Sequence, residues 1–172
     1  MNRALFVEDD EGHVYYGSRG AAGCIIMAQD TGRLMLGRRS ENVTEPGTWG
    51  SLGGAIEEGS APMQTAMYEL FEETGYDGPV RLVPLAPFRT KDGSFCYHNF
   101  LAIVEKEFTP RLDHESGGAA WFDYGEWPQP LHFGIEHLLI DDASRKVIQD
   151  CVADAKRGKD FLKGSPSPPR TL

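Results

Sequence analysis

Residues 53–76, GGAIEEGSAPMQTAMYELFEETGY, decide the fold of this chain. The stretch contains a predicted helix that carries Glu69, Glu72 and Glu73. Because an α-helix turns about 100° per residue, these three carboxylates fall within roughly 100° of one another. Four residues cluster on nearly the opposite side and predict the buried face of the helix: Met63, Met67, Leu70 and Thr74.

Three carboxylates on one helix face repel one another. At this spacing the cost is about 0.2–0.5 kcal/mol per pair on an isolated helix. A divalent cation held by oxygen ligands would offset the repulsion. Taken alone, a solvated acidic face remains the simpler explanation of the same residues.

Glycines at both ends of the stretch favour the cation. Gly53 and Gly54 allow the backbone to approach a ligand closely, and Gly75 suits the left-handed position that follows a helix end. With these glycines the stretch resembles the Nudix box, which is Gly, five residues, Glu, seven residues, Arg-Glu, an aliphatic residue, any residue, Glu-Glu, any residue, Gly and an aliphatic residue. The chain matches this pattern, with Tyr76 acceptable at its end, at six positions: Gly54, Glu69, Leu70, Glu72, Glu73 and Gly75.

Two positions of the box depart from the pattern. Ser60 stands in place of the first Glu, and Tyr68 stands in place of the Arg. In family members these two charges are thought to pair and hold the box in shape. Losing both avoids leaving one charge unpaired. Ser60 is expected to cap the helix start, ahead of Pro62 in the first turn.

The order of predicted elements gives the fold class. Strands precede the acidic helix, more strands follow it, and a helix over about 143–157 ends the pattern, which predicts an α+β fold with a mixed sheet covered by helices. The resemblance sharpens this to the Nudix fold, an α/β/α sandwich over about residues 20–145.

The resemblance also implies an activity. The family hydrolyses a nucleoside diphosphate linked to another group, by attack of water on phosphorus with Mg²⁺ or Mn²⁺. It implies that Glu72 and Glu73 are the main metal ligands and that Gly53 offers a backbone carbonyl. Glu69 would be a further ligand or would orient the water. A Nudix-fold module that binds a nucleotide or a protein without turnover is the alternative.

Three further residues are candidates outside the box. Arg38 and Arg39 end a predicted strand, where they either contact phosphate, which Arg suits well, or face solvent. Glu115 lies in the segment HESGGAAWF, which looks like the place where family members carry an extra ligand or base. The alternative is that Glu115 is an ordinary solvated loop charge. The segment Trp127–Phe133, WPQPLHF, could border the substrate pocket.

Composition limits the partners. A formal net charge of −9 argues against general nucleic-acid or anionic-membrane binding, while a bound cation would still allow a phosphate-bearing small molecule. Three widely spaced cysteines and an N-terminus without a signal-like apolar run predict a cytoplasmic protein. The sequence leaves the oligomeric state open, with a dimer as one option.

One domain accounts for the chain of 172 residues. Residues 1–20 predict an N-terminal extension, a hairpin, before a single Nudix domain over 21–158. Residues 159–172, KDFLKGSPSPPRTL, are rich in Pro, Ser and Lys, which predicts a flexible tail that does not dock on the domain. Asp141 and Asp142 are expected to cap the C-terminal helix.

Overall fold

The computed structural model describes residues 6–8, 14–16, 20–112 and 116–171. Strands and helices follow the order that the sequence predicts, with one helix more than expected. Within the described residues the elements are β1 Phe6–Glu8, β2 Val14–Tyr16, β3 Ala21–Ala28, β4 Leu34–Arg39, β5 Trp49–Gly50, β6 Leu52–Ala55, α1 Pro62–Thr74, β7 Val80–Pro84, β8 Phe88–Arg89, β9 Cys96–Val104, β10 Ser116–Phe122, α2 Phe133–Ile140 and α3 Asp142–Lys156.

Eight of these strands form one mixed sheet. Its main order is β10-β4-β3-β9-β7, and β3 and β9 run parallel while the other pairs are antiparallel. Because β5 pairs with β4 and β6 pairs with β3, residues 49–55 run through the middle of the sheet. The predicted N-terminal hairpin is confirmed, since β1 and β2 form a separate antiparallel pair.

Helices cover both faces of the sheet. Successive strand side chains point to opposite faces, so Ile25 and Met27 pack with α2 and α3 while Cys24 and Ile26 pack under α1. These β3 residues are almost completely buried. The α+β class and the α/β/α sandwich are therefore confirmed.

The C-terminal end of α1 is as predicted, whereas its N-terminal end differs from the prediction. Gly75 adopts the left-handed conformation, with φ of 75°, and its N–H donates to the carbonyl of Phe71. At the start, the expectation that Ser60 caps the helix is wrong. Ala61 is the capping residue, and its N–H donates to the side-chain oxygen of Gln64 at 2.8 Å. Gln64, three residues later, thus accepts the N–H of the capping residue, as the third helical residue of a capping box does.

The buried stripe of α1 also differs from the expected one. Leu70 and Thr74 are buried as predicted, but Met63 is 47% exposed, so its assignment to the buried face is wrong. Thr65 and Ala66 are buried instead. These two small side chains let α1 approach β3 and β6 closely, and apolar character alone did not identify them.

Two helices close the domain. The sequence left 133–140 unassigned, whereas the structure forms α2 there, with His132 as its capping residue. The capping role of Asp141 is confirmed, because its carboxylate accepts the N–H of Ser144 at 2.8 Å at the start of α3. Asp142 is the first residue of α3.

The C-terminal segment docks on the domain, so the expectation of an undocked tail is wrong. Phe161 and Leu162 are 5% and 8% exposed and join the core under α3. The N–H of Phe161 donates to the side-chain oxygen of Gln29 at 2.9 Å. Farther along, the carbonyl of Pro166 accepts the N–H of Val80 in β7 at 2.9 Å. Two apolar side chains and these backbone contacts outweigh the Pro- and Ser-rich composition.

None of the helices in the described part of the chain combines the length and apolar character needed to cross a membrane.

Candidate active site

A cavity of about 690 Å³ opens over residues 51–55 in the middle of the sheet. Three groups of residues line it. One group, here called the acidic wall, consists of Glu69, Glu72 and Glu73 of α1. The second is the end of β4 with the loop after it, and the third is a group of aromatic residues.

The acidic wall brings the three box carboxylates to one side of the cavity, as predicted. Glu72 is exposed, Glu69 is half-buried and Glu73 is 6% exposed. Glu69 lies directly against β6, because a Cβ built on Gly54 would be 2.7 Å from the Glu69 carboxyl carbon. A side chain at position 54 would therefore displace this carboxylate from its present place.

The oxygen donors of the acidic wall fit Mg²⁺ or Mn²⁺ in kind, because hard divalent cations prefer carboxylate and carbonyl oxygens. Among the described residues, however, no three Asp, Glu, His or Cys side chains converge closely enough to form a ligand set by themselves. Mg²⁺ normally keeps several waters and uses substrate phosphates as ligands, so a wall of this kind needs only one or two direct carboxylate ligands.

The negative charge of the acidic wall raises the pKa values of two neighbouring side chains, Tyr68 and Cys24. The Glu72 carboxylate raises the pKa of the Tyr68 phenol above its ordinary value, with smaller contributions from desolvation and from Glu69. Burial, with the Glu73 carboxylate adding to it, raises the pKa of the Cys24 thiol. Three carboxylates thus act on this region together, and a bound cation would relieve their repulsion.

The cavity floor holds a tyrosine that the sequence did not single out. Gly23 and Gly53 face each other in the β3–β6 pair, and the Tyr97 hydroxyl occupies the space that a Cβ on either glycine would need. Its oxygen lies 3.1 Å from the Ser51 hydroxyl. Sequence alternation placed Tyr97 on a strand face, but only the pairing of two distant glycines shows that this face reaches the cavity.

The two arginines have different surroundings. Both line the cavity, but the Arg39 guanidinium donates to the carbonyl oxygen of Thr44 at 2.6 Å and to its hydroxyl at 2.9 Å. Arg39 therefore holds the loop 40–47 against the end of β4. Arg38 is exposed and is the arginine better placed to meet a ligand.

The Pro-rich segment reaches the cavity through its last two residues. His132 and Phe133 both line it, which confirms the expectation that this segment borders the pocket. Trp49 lies in the core instead, with its ring edge-on to Phe122 at 5.5 Å. Hydrogen bonds from Trp49 to Pro130 and from His132 to Trp49, 2.9 and 2.8 Å long, fix the segment beside β5.

A second cavity, of about 450 Å³, lies at the C-terminal end of α1 and is lined by Tyr76, Phe108 and Arg111 among others. None of the acidic-wall residues lines it. The geometry therefore points to the larger cavity as the candidate active site.

Comparison with known protein families identifies the domain that contains this cavity. The family model of the NUDIX domain matches residues 17–141. This range is more than half of the chain and includes α1 and the whole eight-stranded sheet. The chain belongs to the Nudix family.

Curated relatives resemble the Nudix domain over part of their length. A nucleoside triphosphate pyrophosphatase/Nudix hydrolase fusion protein of Bifidobacterium longum is 27% identical over 125 residues, which cover 68% of this chain and 26% of that protein. A Mycobacterium tuberculosis protein named "Putative 8-oxo-dGTP diphosphatase 3" is 38% identical over 73 residues, covering 41% of this chain and 34% of that protein. The chain thus spans about a quarter to a third of the curated relatives that it matches.

Solved structures share the Nudix fold with this chain. The Nudix hydrolase RenU from M. smegmatis superposes with a TM-score of 0.61 at 19% identity, covering 92% of this chain and 99% of RenU. A MutT Nudix hydrolase from Burkholderia pseudomallei gives 0.55 at 22% identity, covering 70% of this chain and 95% of its own. At these identities the likeness establishes the fold.

The two Nudix-box departures lie in different places. Ser60 precedes the helix in a turn, where its N–H donates to the Glu57 carbonyl at 3.1 Å. Tyr68 lines the cavity, and the nearby Glu72 carboxylate raises the pKa of its phenol. The tyrosine therefore occupies part of the acidic wall's surroundings rather than a remote structural position.

Glu115 lies outside the described residues, so its role as a ligand or base stays a prediction. Strand β10 begins at Ser116, one residue later, and Ser116 lines the cavity.

Proposed function

We propose that this Nudix domain is a metal-dependent pyrophosphohydrolase that cleaves a nucleoside diphosphate linked to another group, by attack of water on phosphorus. The observation that carries the proposal is the acidic wall: all three box carboxylates line the same cavity as Arg38 and Arg39. Carboxylates for a cation and arginines for phosphate are the two requirements of hydrolysis at a phosphoric anhydride.

Each residue has a distinct task in this proposal. Glu72 and Glu73, with the Gly53 carbonyl, hold Mg²⁺ or Mn²⁺, which when bound neutralises the phosphate oxygens and lowers the pKa of water. Glu69, pressed against Gly54, is a further ligand or orients the attacking water.

The two arginines have different roles in substrate binding. Arg38 contacts phosphate directly, because its guanidinium is exposed at the cavity rim. Arg39 acts through the loop that it holds by Thr44. Glu115, on the segment just before β10, supplies a base or an additional ligand.

The site is tested by replacing carboxylates of the acidic wall with amides, which removes the charge of each side chain and keeps its shape. Glu72→Gln and Glu73→Gln should each lower Mg²⁺-dependent hydrolysis by at least ~100-fold, since each removes a major electrostatic stabiliser. Glu136→Gln is the matched control, because Glu136 is exposed on α2 and does not line the cavity. Hydrolysis within a few-fold of the parent in both wall variants would refute the assignment.

Substrates should be screened with Mg²⁺ across nucleoside triphosphates, oxidised guanine nucleotides, nucleotide sugars, ADP-ribose and dinucleoside polyphosphates. The name of the M. tuberculosis relative gives 8-oxo-dGTP priority in this panel. Loops choose among such substrates, and the loop 40–47 is the part of the rim to vary next.

A catalytically weak nucleotide-binding module is the second candidate. The observation that favours it is Tyr68, which stands in place of the box arginine and lines the cavity close to the Glu72 carboxylate. Calorimetric titration of Mg²⁺ with and without nucleotide separates the two candidates. Nucleotide binding that is independent of Mg²⁺, with no turnover across the panel, supports the module.

A further inference from the structure

The segment that carries Gly53 and Gly54 changes its pairing partner at Ser51. β5 pairs antiparallel with β4, and β6 pairs antiparallel with β3. Because β3 and β4 are themselves antiparallel, the chain runs along β4 as far as Ser51 and then back along β3. Ser51 therefore lies at the base of a cleft between these two strands, and it lines the candidate active-site cavity.

The Gly53 carbonyl points away from β3. The N–H of Ile56 donates to the Gly20 carbonyl at 3.0 Å, so these two residues form a hydrogen-bonded pair at the end of the β3–β6 ladder. Hydrogen-bonded and non-hydrogen-bonded pairs alternate along an antiparallel ladder. Gly23 and Gly53, three positions farther along, are therefore a non-hydrogen-bonded pair. The polar backbone groups of Gly53 are left for the cleft.

The Tyr97 hydroxyl orients the hydroxyl of Ser51. Their oxygens are 3.1 Å apart, and neither hydroxyl has another hydrogen bond within the part of the chain that the structure describes. The Tyr97 oxygen lies against the backbones of Gly23 and Gly53, and burying a hydroxyl proton without an acceptor is costly. The phenol therefore donates to Ser51. Ser51 keeps its own proton, which is available to a ligand in the cavity.

The hydroxyl pair lies close to charged groups of the cavity. Burial raises the pKa of the Tyr97 phenol, while the Glu73 carboxylate adds to the increase and the Arg39 guanidinium opposes it. On the other face of β6, Glu69 lies against Gly54. Consecutive Cα atoms are about 3.8 Å apart. The Tyr97 oxygen and the Glu69 carboxyl carbon, which lie against neighbouring residues, are therefore no more than about 12 Å apart.

We propose that Ser51 is a substrate-binding residue whose hydroxyl, oriented by Tyr97, donates a hydrogen bond to a phosphate oxygen of the substrate. The inference rests on the proposed function, which places a metal-bound diphosphate beside Gly53. Two residues of a strand span about 7 Å, so Ser51 is within reach of a phosphate held there. An anionic oxygen accepts protons and donates none, which matches the single proton that Ser51 has left.

Binding of non-hydrolysable ligands tests this contact apart from catalysis. The probes are methylenediphosphonate and α,β-methylene-ADP, each titrated with Mg²⁺ in a calorimeter. Ser51→Ala should raise the Kd of both probes by a similar factor, because both carry the same pair of phosphorus groups. The expected factor is about 10- to 150-fold, the range for one lost hydrogen bond to a charged group.

A double-mutant cycle separates binding from packing. Ser51→Ala also leaves the buried Tyr97 hydroxyl without its acceptor, so the Tm should fall. Adding Tyr97→Phe should recover Tm, because no unpaired hydroxyl then remains, but the affinity for both probes should stay low, because the donor to phosphate is still missing. Should Ser51→Ala fail to fold, this double variant carries the affinity measurement.

Two further variants make the result specific. Tyr97→Phe alone should weaken both probes less than Ser51→Ala does, because the Ser51 hydroxyl is still present but is no longer oriented. Ser167→Ala is the matched control and should leave both affinities and the Tm unchanged. Ser167 is exposed in the C-terminal segment and does not line the cavity.

Four outcomes overturn the contact. The first is a parent protein that binds neither probe with Mg²⁺, and the second is unchanged affinity of both probes for Ser51→Ala. The third is weakening of α,β-methylene-ADP alone, which would place Ser51 at the nucleoside. The fourth is recovery of affinity together with Tm in the double variant, which would mean that Ser51 acts through packing.

Hydrolysis across the substrate panel judges the proposed function separately. A parent that binds both probes and loses affinity in Ser51→Ala, but hydrolyses no substrate, overturns the hydrolase and leaves the phosphate contact standing. Hydrolysis by the parent, with unchanged affinities in Ser51→Ala, has the opposite meaning.

Discussion

Replacing Phe161 by alanine tests whether the C-terminal segment is part of the fold. The side chain is 5% exposed and lies in the core cluster with α3. Burying a phenylalanine contributes about 1.5–3 kcal/mol by transfer alone, and truncating a well-packed one costs about 3–5 kcal/mol. Because the segment lies near the chain end and can detach instead of leaving a cavity, we expect a loss close to the transfer contribution alone, about 2–3 kcal/mol.

The free energy of unfolding is measured by urea denaturation followed by circular dichroism. In a domain of this size about 2–3 kcal/mol corresponds to a fall in Tm of roughly 4–12 °C. Lys163→Ala is the control, since position 163 is exposed in the same segment, and should stay within about 0.5 kcal/mol of the parent. A chain ending at Asp160 should lose at least as much stability as Phe161→Ala. Equal midpoints for Phe161→Ala and Lys163→Ala would refute the docking.

Two further predictions concern a helix cap and the cavity floor. Hydrogen bonds from Ser144 hold the pKa of Asp141 below its ordinary value, so this cap stabilises the fold above the unfolded pKa of about 3.9 and is lost as pH falls through the lower folded pKa. Asp141→Asn should remove that contribution to the acid-side slope of unfolding free energy, and an unchanged slope would contradict it. Gly53→Ala should lower the Tm, because its Cβ would be 2.6 Å from the Cα of Gly23. Adding Tyr97→Phe to Gly53→Ala removes the hydroxyl that the new Cβ would meet, and should restore only part of the lost Tm. Full restoration would show that the Gly23 backbone moves away from the new Cβ at little cost.

The sequence predicted the acidic wall because its information is local. Glu69, Glu72 and Glu73 share one helix, and helical geometry alone sets their common face. Gly75 likewise fixed the helix end through its own conformation. Both features depend on residues within a few positions of each other.

What the sequence did not predict depends on distant pairings. Tyr97 reaches the cavity because Gly23 and Gly53 become neighbours in the sheet, and no local pattern joins three such distant positions. The segment after Lys159 was judged by its composition, whereas docking needed only Phe161 and Leu162 to find space beside α3. Met63 was assigned by apolar character, although burial in α1 favours the small Thr65 and Ala66.

The hydrogen bond from Val80 to Pro166 has a consequence for self-association. Strand β7 lies at one edge of the sheet, and an open edge is a template on which another chain can add a strand. The C-terminal segment already accepts one of the outward N–H groups of β7, and proline itself cannot donate a bond that would extend a ladder. A second copy that paired with β7 would first have to displace Pro166 from Val80. This displacement is resisted because Phe161 and Leu162 of the same segment are buried in the core. Of the two ends of the described strand order, β10 therefore leaves the less protected edge for a dimer that grows by strand addition.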